Sequence, residues 1–255
     1  MHPRVAVVTI TLGEKREAYE RLFIPSIRAF AEKWGYDFKQ ITEPILETPM
    51  NSKYTLCMQK LLIPTIPGIL NYDWLIYIDA DILVNYERAP NLLDEVVPGK
   101  LCAVNERVIF GNSSLITDFW KSFDPSYPPT AQEYYPFLKF PETFEKQFNA
   151  GFFCFEPKVH KDFFEELYNT YSPRVFAGEN LDGDQGPLNY ETNKRGLIHY
   201  MDERWNRVWI YPRFIFYKFL DPIYNRIQLQ QAFKTIFDMS YAIHMVGNID
   251  WDILS

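Results

Sequence analysis

From residue 72 to residue 84 the chain reads Tyr-Asp-Trp-Leu-Ile-Tyr-Ile-Asp-Ala-Asp-Ile-Leu-Val, an apolar run carrying two late aspartates one residue apart. Its β-branched and aromatic residues mark a strand buried on both faces of a sheet. Side chains at i and i+2 of an extended segment share a face, so Asp79 and Asp81 can converge on one point. One buried carboxylate is costly, and two close together repel each other. A divalent cation relieves both effects, and hard oxygen ligands suit Mn²⁺ or Mg²⁺. The plainer alternative is that Asp79 ends the strand and Asp81 caps a turn.

The sequence before this run alternates between two periods. Residues 5–12 (Val-Ala-Val-Val-Thr-Ile-Thr-Leu) read as a buried strand, and a helical pattern follows over 14–34. Pro25 is expected to kink or split that helix, and Gly35 to stop it. Residues 36–41 alternate like a second strand, and Ser52 is placed to cap a helix over 53–70 that Pro64 and Pro67 interrupt. Strand, helix, strand, helix, strand implies right-handed crossovers and a mostly parallel sheet, with the aspartates at a carboxyl end where ligands bind. Further on, strands are expected at 101–104 and 147–155, and helices at 158–171 and 184–194. A long excursion over 111–146 would shape a substrate site. One α/β domain with insertions is expected, its nucleotide-binding half ending near residue 104 and its acceptor-side half covering 105–255.

Composition narrows the function classes. The net charge of −7 argues against nucleic acid as the main partner. Cys57, Cys102 and Cys154 form no CxxC pair, and the last two lie in apolar runs, as buried thiols of a reducing compartment do. Neither a signal peptide nor a run of 18 apolar residues is evident, so a cytoplasmic protein without a transmembrane segment is expected. The basic, aromatic stretch 204–234 reads first as core plus solvated stems; peripheral membrane contact and acceptor contact are the minority readings.

Five motifs occur in a meaningful order: Asp79-Ala80-Asp81, Asn149-Ala150-Gly151, Asp184-Gln185, Glu203-Arg204-Trp205-Asn206 and His244-Met245-Val246-Gly247. Alone, the first, second, third and fifth have ordinary readings, respectively a chance DxD, a tight turn, a helix cap and a partly buried histidine, and the fourth follows a short strand. Together they resemble the metal-dependent nucleotide-sugar glycosyltransferases of the A-type fold (GT-A), most closely those of glycosyltransferase family 8. The resemblance implies that Asp79 and Asp81 hold Mn²⁺ or Mg²⁺ against the donor's diphosphate, with Asp79 also facing the ribose and His244 as third ligand. It implies that Asn149 lies near the donor sugar, with Ala150 and Gly151 beside it, and that Asp184 and Gln185 act at the reacting sugar. Thr9 and Thr11 correspond to nucleoside contacts, and Lys53 to a basic residue near the donor. Gly247 belongs to the histidine motif. The partners so implied are a nucleotide-sugar donor, UDP-linked by first expectation, and a glycan or small hydroxyl acceptor.

The chain also departs from the family. Where relatives carry a lysine that grips the diphosphate, it offers Asp250 before Trp251, so Lys53 or the basic stretch is expected to compensate. Two other enzyme classes share parts of the pattern. Phosphatase-type hydrolases use a DxDx[TV] motif near the N-terminus, but Leu83 occupies the Thr/Val position here. A nucleotidyltransferase acting on sugar phosphates would share the nucleotide site. A non-catalytic nucleotide-sugar binding module would also keep it.

Overall fold

The computed structural model describes residues 3–47, 53–107, 130–217, 226–246 and 250–254, with isolated positions between 114 and 128. Strand β1 (Val5–Ile10) leads into helices α1 (Arg16–Leu22) and α2 (Ile24–Trp34), and β2 (Asp37–Ile41) returns beside β1. Pro25 does split the expected helix: it lies in the first turn of α2, where its missing N–H costs nothing. Gly35 ends α2 in the left-handed region, at φ 69°.

The expected helix over 53–70 is instead a short α3 (Lys53–Cys57) continuing as a 3₁₀ helix over Met58–Thr65. Pro64 lies inside it and removes an N–H that an α-helix would use. Ser52 lies outside the described residues. Strand β3 (Trp74–Ile78) follows, then β4 (Ile82–Val84), β5 (Leu101–Asn105), α4 (Ala131–Phe137) and β6 (Phe148–Phe155). After these come α5 (Pro157–Phe176), α6 (Gln185–Lys194), β7 (Ile198–Tyr200), β8 (Arg207–Val208), α7 (Ile210–Tyr217), α8 (Arg226–Asp238) and β9 (Ala242–His244).

The large sheet has the order β2-β1-β3-β6-β5-β7, and only β6 runs against the other strands. Its residues alternate between two cores, as a period of two requires. Ala6, Val8, Leu75, Tyr77, Phe153 and Phe155 meet α5 and the 3₁₀ helix on one face. Val7, Ile76, Ile78, Phe152 and Cys154 meet α2 on the other. The result is a mixed α/β fold with a mostly parallel sheet flanked by helices. Cys102 and Cys154 lie opposite each other in register, free and fully buried.

The run 72–84 is not one strand. It leaves the large sheet after Ile78, turns at Asp79-Ala80-Asp81, and enters a second sheet of order β4-β9-β8. The turn is closed by the Ile82 N–H donating to Asp79 O at 3.1 Å. The two aspartates thus converge through a turn and not through strand alternation. No helix among the described residues is long and apolar enough to cross a membrane.

Phe153 lies in the middle of this architecture. Fully buried on β6, it stacks on Tyr77 at 5.1 Å and on Phe164 at 6.2 Å, tying the sheet to α5. Phe153→Ala is expected to cost about 3–5 kcal/mol. Urea denaturation should show a lower midpoint with an unchanged slope.

Candidate active site

The turn after β3 is held from both sides. The Asp79 N–H donates to Gly151 O at 2.7 Å, and Asp81 O accepts from the Met245 N–H at 2.9 Å. Among the described residues, no backbone N–H donates to either aspartate side chain, so neither serves as a cap. Asp79 instead accepts from the Tyr77 hydroxyl at 2.6 Å and from the Lys60 ammonium at 3.2 Å. Asp81 Oδ1 lies 3.1 Å from His244 Nε2, and Asp79 Oδ2 lies 3.9 Å from it. His244 reaches this point because β9 pairs with β4 at Ile82 and with β8 at Val208.

One ligand atom from each of Asp79, Asp81 and His244 lies within 4.8 Å of the others. Two carboxylates and an imidazole fit a hard or borderline divalent ion such as Mn²⁺ or Mg²⁺. Ligands about 2.1 Å from one ion stand about 3 Å apart, close to the separation of Asp81 and His244. Burial alone would lower the pKa of His244, but Asp81 and Asp79 outweigh it and hold the imidazole above the ordinary histidine value.

Lys60 is the cation that sequence reasoning missed. It projects from the 3₁₀ helix into the acids, also donating to Ala150 O at 3.2 Å and pairing with Asp184 at 3.4 Å. Burial would depress its pKa, yet Asp184 and Asp79 keep it above the usual lysine range. Its only sequence signal was a lysine beside Leu61-Leu62-Ile63-Pro64, a stretch too apolar to lie in solvent.

Asp184 precedes α6 but makes no capping hydrogen bond. It is 2% exposed, its Oδ2 lacks a hydrogen bond, and burial pushes its pKa up to about 7 against the pull of Lys60. The loop that carries it is pinned to β6. Gln185 accepts from the Ala150 N–H at 3.0 Å and donates to Asp182 at 3.0 Å, so both ends of its amide are engaged. Asn189, one turn on, bonds the Phe148 N–H at 2.7 Å and Phe148 O at 2.8 Å. Asp182 lies in a turn, at φ 57°. Asn149 Oδ1 lies 2.9 Å from His244 Nδ1.

A cleft of about 320 Å³ opens here, walled by Ile10, Leu12, Tyr19, Cys57, Lys60 and the Asp79–Asp81 turn. A wider depression of about 500 Å³ lies over Pro25, Arg28 and Gln40, but its walls include none of these clustered groups. Buried, converging charge marks the smaller cleft as the site. Thr9 and Thr11 are fully buried behind Ile10 and Leu12; Thr11 accepts from Gln40 at 3.0 Å, and Thr9 Oγ1 has no hydrogen bond. The side chain of Lys53 and the whole of Gly247 lie outside the described residues. Asp250 has a structural role: its carboxylate accepts from Trp209 Nε1 at 2.9 Å and pairs with buried Arg213. Arg213, a cation of the basic stretch, is thereby paired with the C-terminal segment.

No protein-family model and no curated protein matches the sequence. Among solved structures, the chain is similar to a glycosyltransferase involved in the glycosylation of the major capsid of PBCV-1. The TM-score is 0.60 at 12% identity, over 99% of this chain and 97% of that one. The fold is that of a glycosyltransferase.

Two measurements probe the site. A Cβ on Gly151 would stand 2.4 Å from His244 Cε1 and 2.8 Å from Asn149 Oδ1. Gly151→Ala should therefore destabilise the protein by about 1–3 kcal/mol, read by thermal unfolding. Asp184 keeps its proton in the folded state up to about pH 7, whereas the unfolded carboxyl loses it near 3.8. Between these values the folded state binds more protons, so this group's contribution to stability falls as pH rises. Asp184→Asn should gain stability relative to the parent from about pH 4 to about pH 7 and level off beyond, as chemical denaturation across that range will show.

Proposed function

We propose that the protein transfers a hexose from a nucleoside diphosphate sugar, UDP-linked in the first instance, to a hydroxyl of a glycan or other acceptor. Asp79, Asp81 and His244 would hold the divalent cation. The observation that carries this reading is the meeting of those three residues at a cleft beyond the carboxyl ends of β1 and β3, in the fold of a glycosyltransferase. The ordered motifs, resembling family 8, support the same reading. Residues 1–104 would form the donor side and 105–255 the acceptor side.

The chemistry needed is stabilisation of a leaving diphosphate. A bound Mn²⁺ or Mg²⁺ supplies Lewis-acid stabilisation of the departing phosphate oxygens. Lys60 places a buried positive charge beside Asp79, where it reinforces that stabilisation. Asp184, held at 3.4 Å from Lys60, is a carboxyl able to accept a sugar hydroxyl or the proton of the attacking acceptor. Gln185 acts on the sugar indirectly, by fixing the Asp184 loop against β6. The apolar wall of Ile10, Leu12 and Tyr19 gives a nucleoside a surface to bury against.

Incubation with Mn²⁺ and a panel of nucleotide sugars should release nucleoside diphosphate. Chelation should stop the release and added Mn²⁺ restore it. Asp81→Ala should abolish turnover, and Asp184→Asn should slow it by about 10²–10⁴-fold while donor binding persists. Absence of turnover together with absence of metal-dependent donor binding across the panel would refute the proposal.

A further inference from the structure

The tautomer of His244 can be read from its neighbours. Asn149 Oδ1 is met by three groups: His244 Nδ1 at 2.9 Å, the Gly151 N–H at 3.0 Å and Asn206 Nδ2 at 3.1 Å. A backbone N–H can only donate, so the Asn149 atom facing it must be the carbonyl oxygen. That oxygen has no proton to give, so the ring nitrogen facing it carries one. The Nε2 atom is then the one directed at Asp81 and Asp79.

All three side chains are at least nine-tenths buried: Asn149 is 9% exposed, Asn206 4% and His244 4%. Asn206 also reaches Asn149 O at 3.4 Å, holding both the main chain and the side chain of that residue. Its own Oδ1 has no hydrogen bond, an arrangement that costs stability. The fold tolerates that cost while keeping Nδ2 on Asn149. Gly151 leaves room for the imidazole, since a Cβ there would stand 2.7 Å from Nδ1.

We infer that Asn149 and Asn206 are positioning residues of the cation site: they hold His244 as the Nδ1–H tautomer so that Nε2 is the ligand atom. The inference rests on the proposal that Asp79, Asp81 and His244 hold a divalent ion. It assigns the carbonyl oxygen of Asn149 to the histidine and not to a sugar hydroxyl. Outer partners that orient a ligating imidazole typically contribute about 10–100-fold in metal affinity.

Mn²⁺ titration followed by electron paramagnetic resonance tests this on the full chain, with folding checked by thermal melts. Asn149→Ala should weaken Mn²⁺ binding about 10–100-fold, and Asn206→Ala should weaken it to a lesser degree. Asn149→Asp still offers an acceptor to the imidazole N–H and should bind close to the parent level, a rescue that a packing role would not give. ¹⁵N spectra of the Mg²⁺-loaded parent protein should show His244 protonated at Nδ1. Parental Mn²⁺ affinity in Asp81→Ala would overturn the cation site itself. Loss of binding in Asp81→Ala with parental affinity in both alanine variants would overturn only the positioning role. Should Asn149→Ala fail to fold, Asn206→Ala and the parent ¹⁵N spectrum decide, and a proton on Nε2 in that spectrum overturns the inference.

Discussion

Asp79, Asp81 and Asp184 share one poorly solvated region with Lys60 and His244, and the rest of the structure is arranged around that balance of charge. None of these groups could be buried alone without losing its charge or several kcal/mol. Lys60 bridges Asp79 and Asp184, while His244 lies against Asp81. Asp184 is the member least compensated: burial raises its pKa, and among the described residues the cation that pairs with it, Lys60, lies at 3.4 Å without a hydrogen bond to Oδ2. A site in this condition is ready to accept a cation at the aspartate pair and a hydroxyl at Asp184. The same desolvation that makes the acids costly makes any partner they gain more strongly held.

Five groups from four parts of the chain meet because of one antiparallel strand. In a wholly parallel sheet the start of one strand lies far from the ends of its neighbours. Since β6 runs the other way between β3 and β5, its first residues sit beside the last residues of β3. That places Asn149, Ala150 and Gly151 against the Asp79 turn, with Gly151 O accepting from the Asp79 N–H. Gln185 and Asn189 then attach α6 to the same end of β6, which brings Asp184 in. The small sheet does the equivalent for His244. Its strand β9 lies between β4, the continuation of the Asp79–Asp81 turn, and β8, which begins one residue after Asn206.

What could be read in the sequence was what depends on local periodicity. The β1 and β3 runs, the split at Pro25, the stop at Gly35 and the helix after Asp184 each rest on a handful of adjacent residues. The aspartate pair and His244 were legible as a set, and the structure brings them together. Strands of two or three residues carry no period, so β4, β8 and β9 were merged into neighbouring segments or missed. Lys60 was hidden for a different reason. Its partners lie 19 and 124 residues further along, at Asp79 and Asp184, and nothing local distinguishes it from a solvated lysine. Asn206 carries no local signal of its own, because its partner Asn149 lies 57 residues earlier in the chain.

Asp250 serves the C-terminal segment of the chain itself. Asp250 sits in the left-handed region at φ 60° and is buried against Arg213 and Trp209, fastening the C-terminal segment to α7. Other cations of the basic stretch are likewise paired nearby: Arg204 with Asp202 at 2.6 Å, Arg207 with Glu203 at 3.2 Å and Lys234 with Asp238 at 2.6 Å. Charges neutralised within a few ångströms contribute little field at the cleft. The stretch that looked basic in the sequence therefore offers much less positive potential than its composition suggests. Among the described residues, the cations that do line the cleft are Lys15 and Lys60. Lys60 is tied to two acids, so its charge is largely offset until the aspartate pair is itself neutralised. Under the proposed function, this couples donor affinity to occupation of the Asp79–Asp81–His244 site.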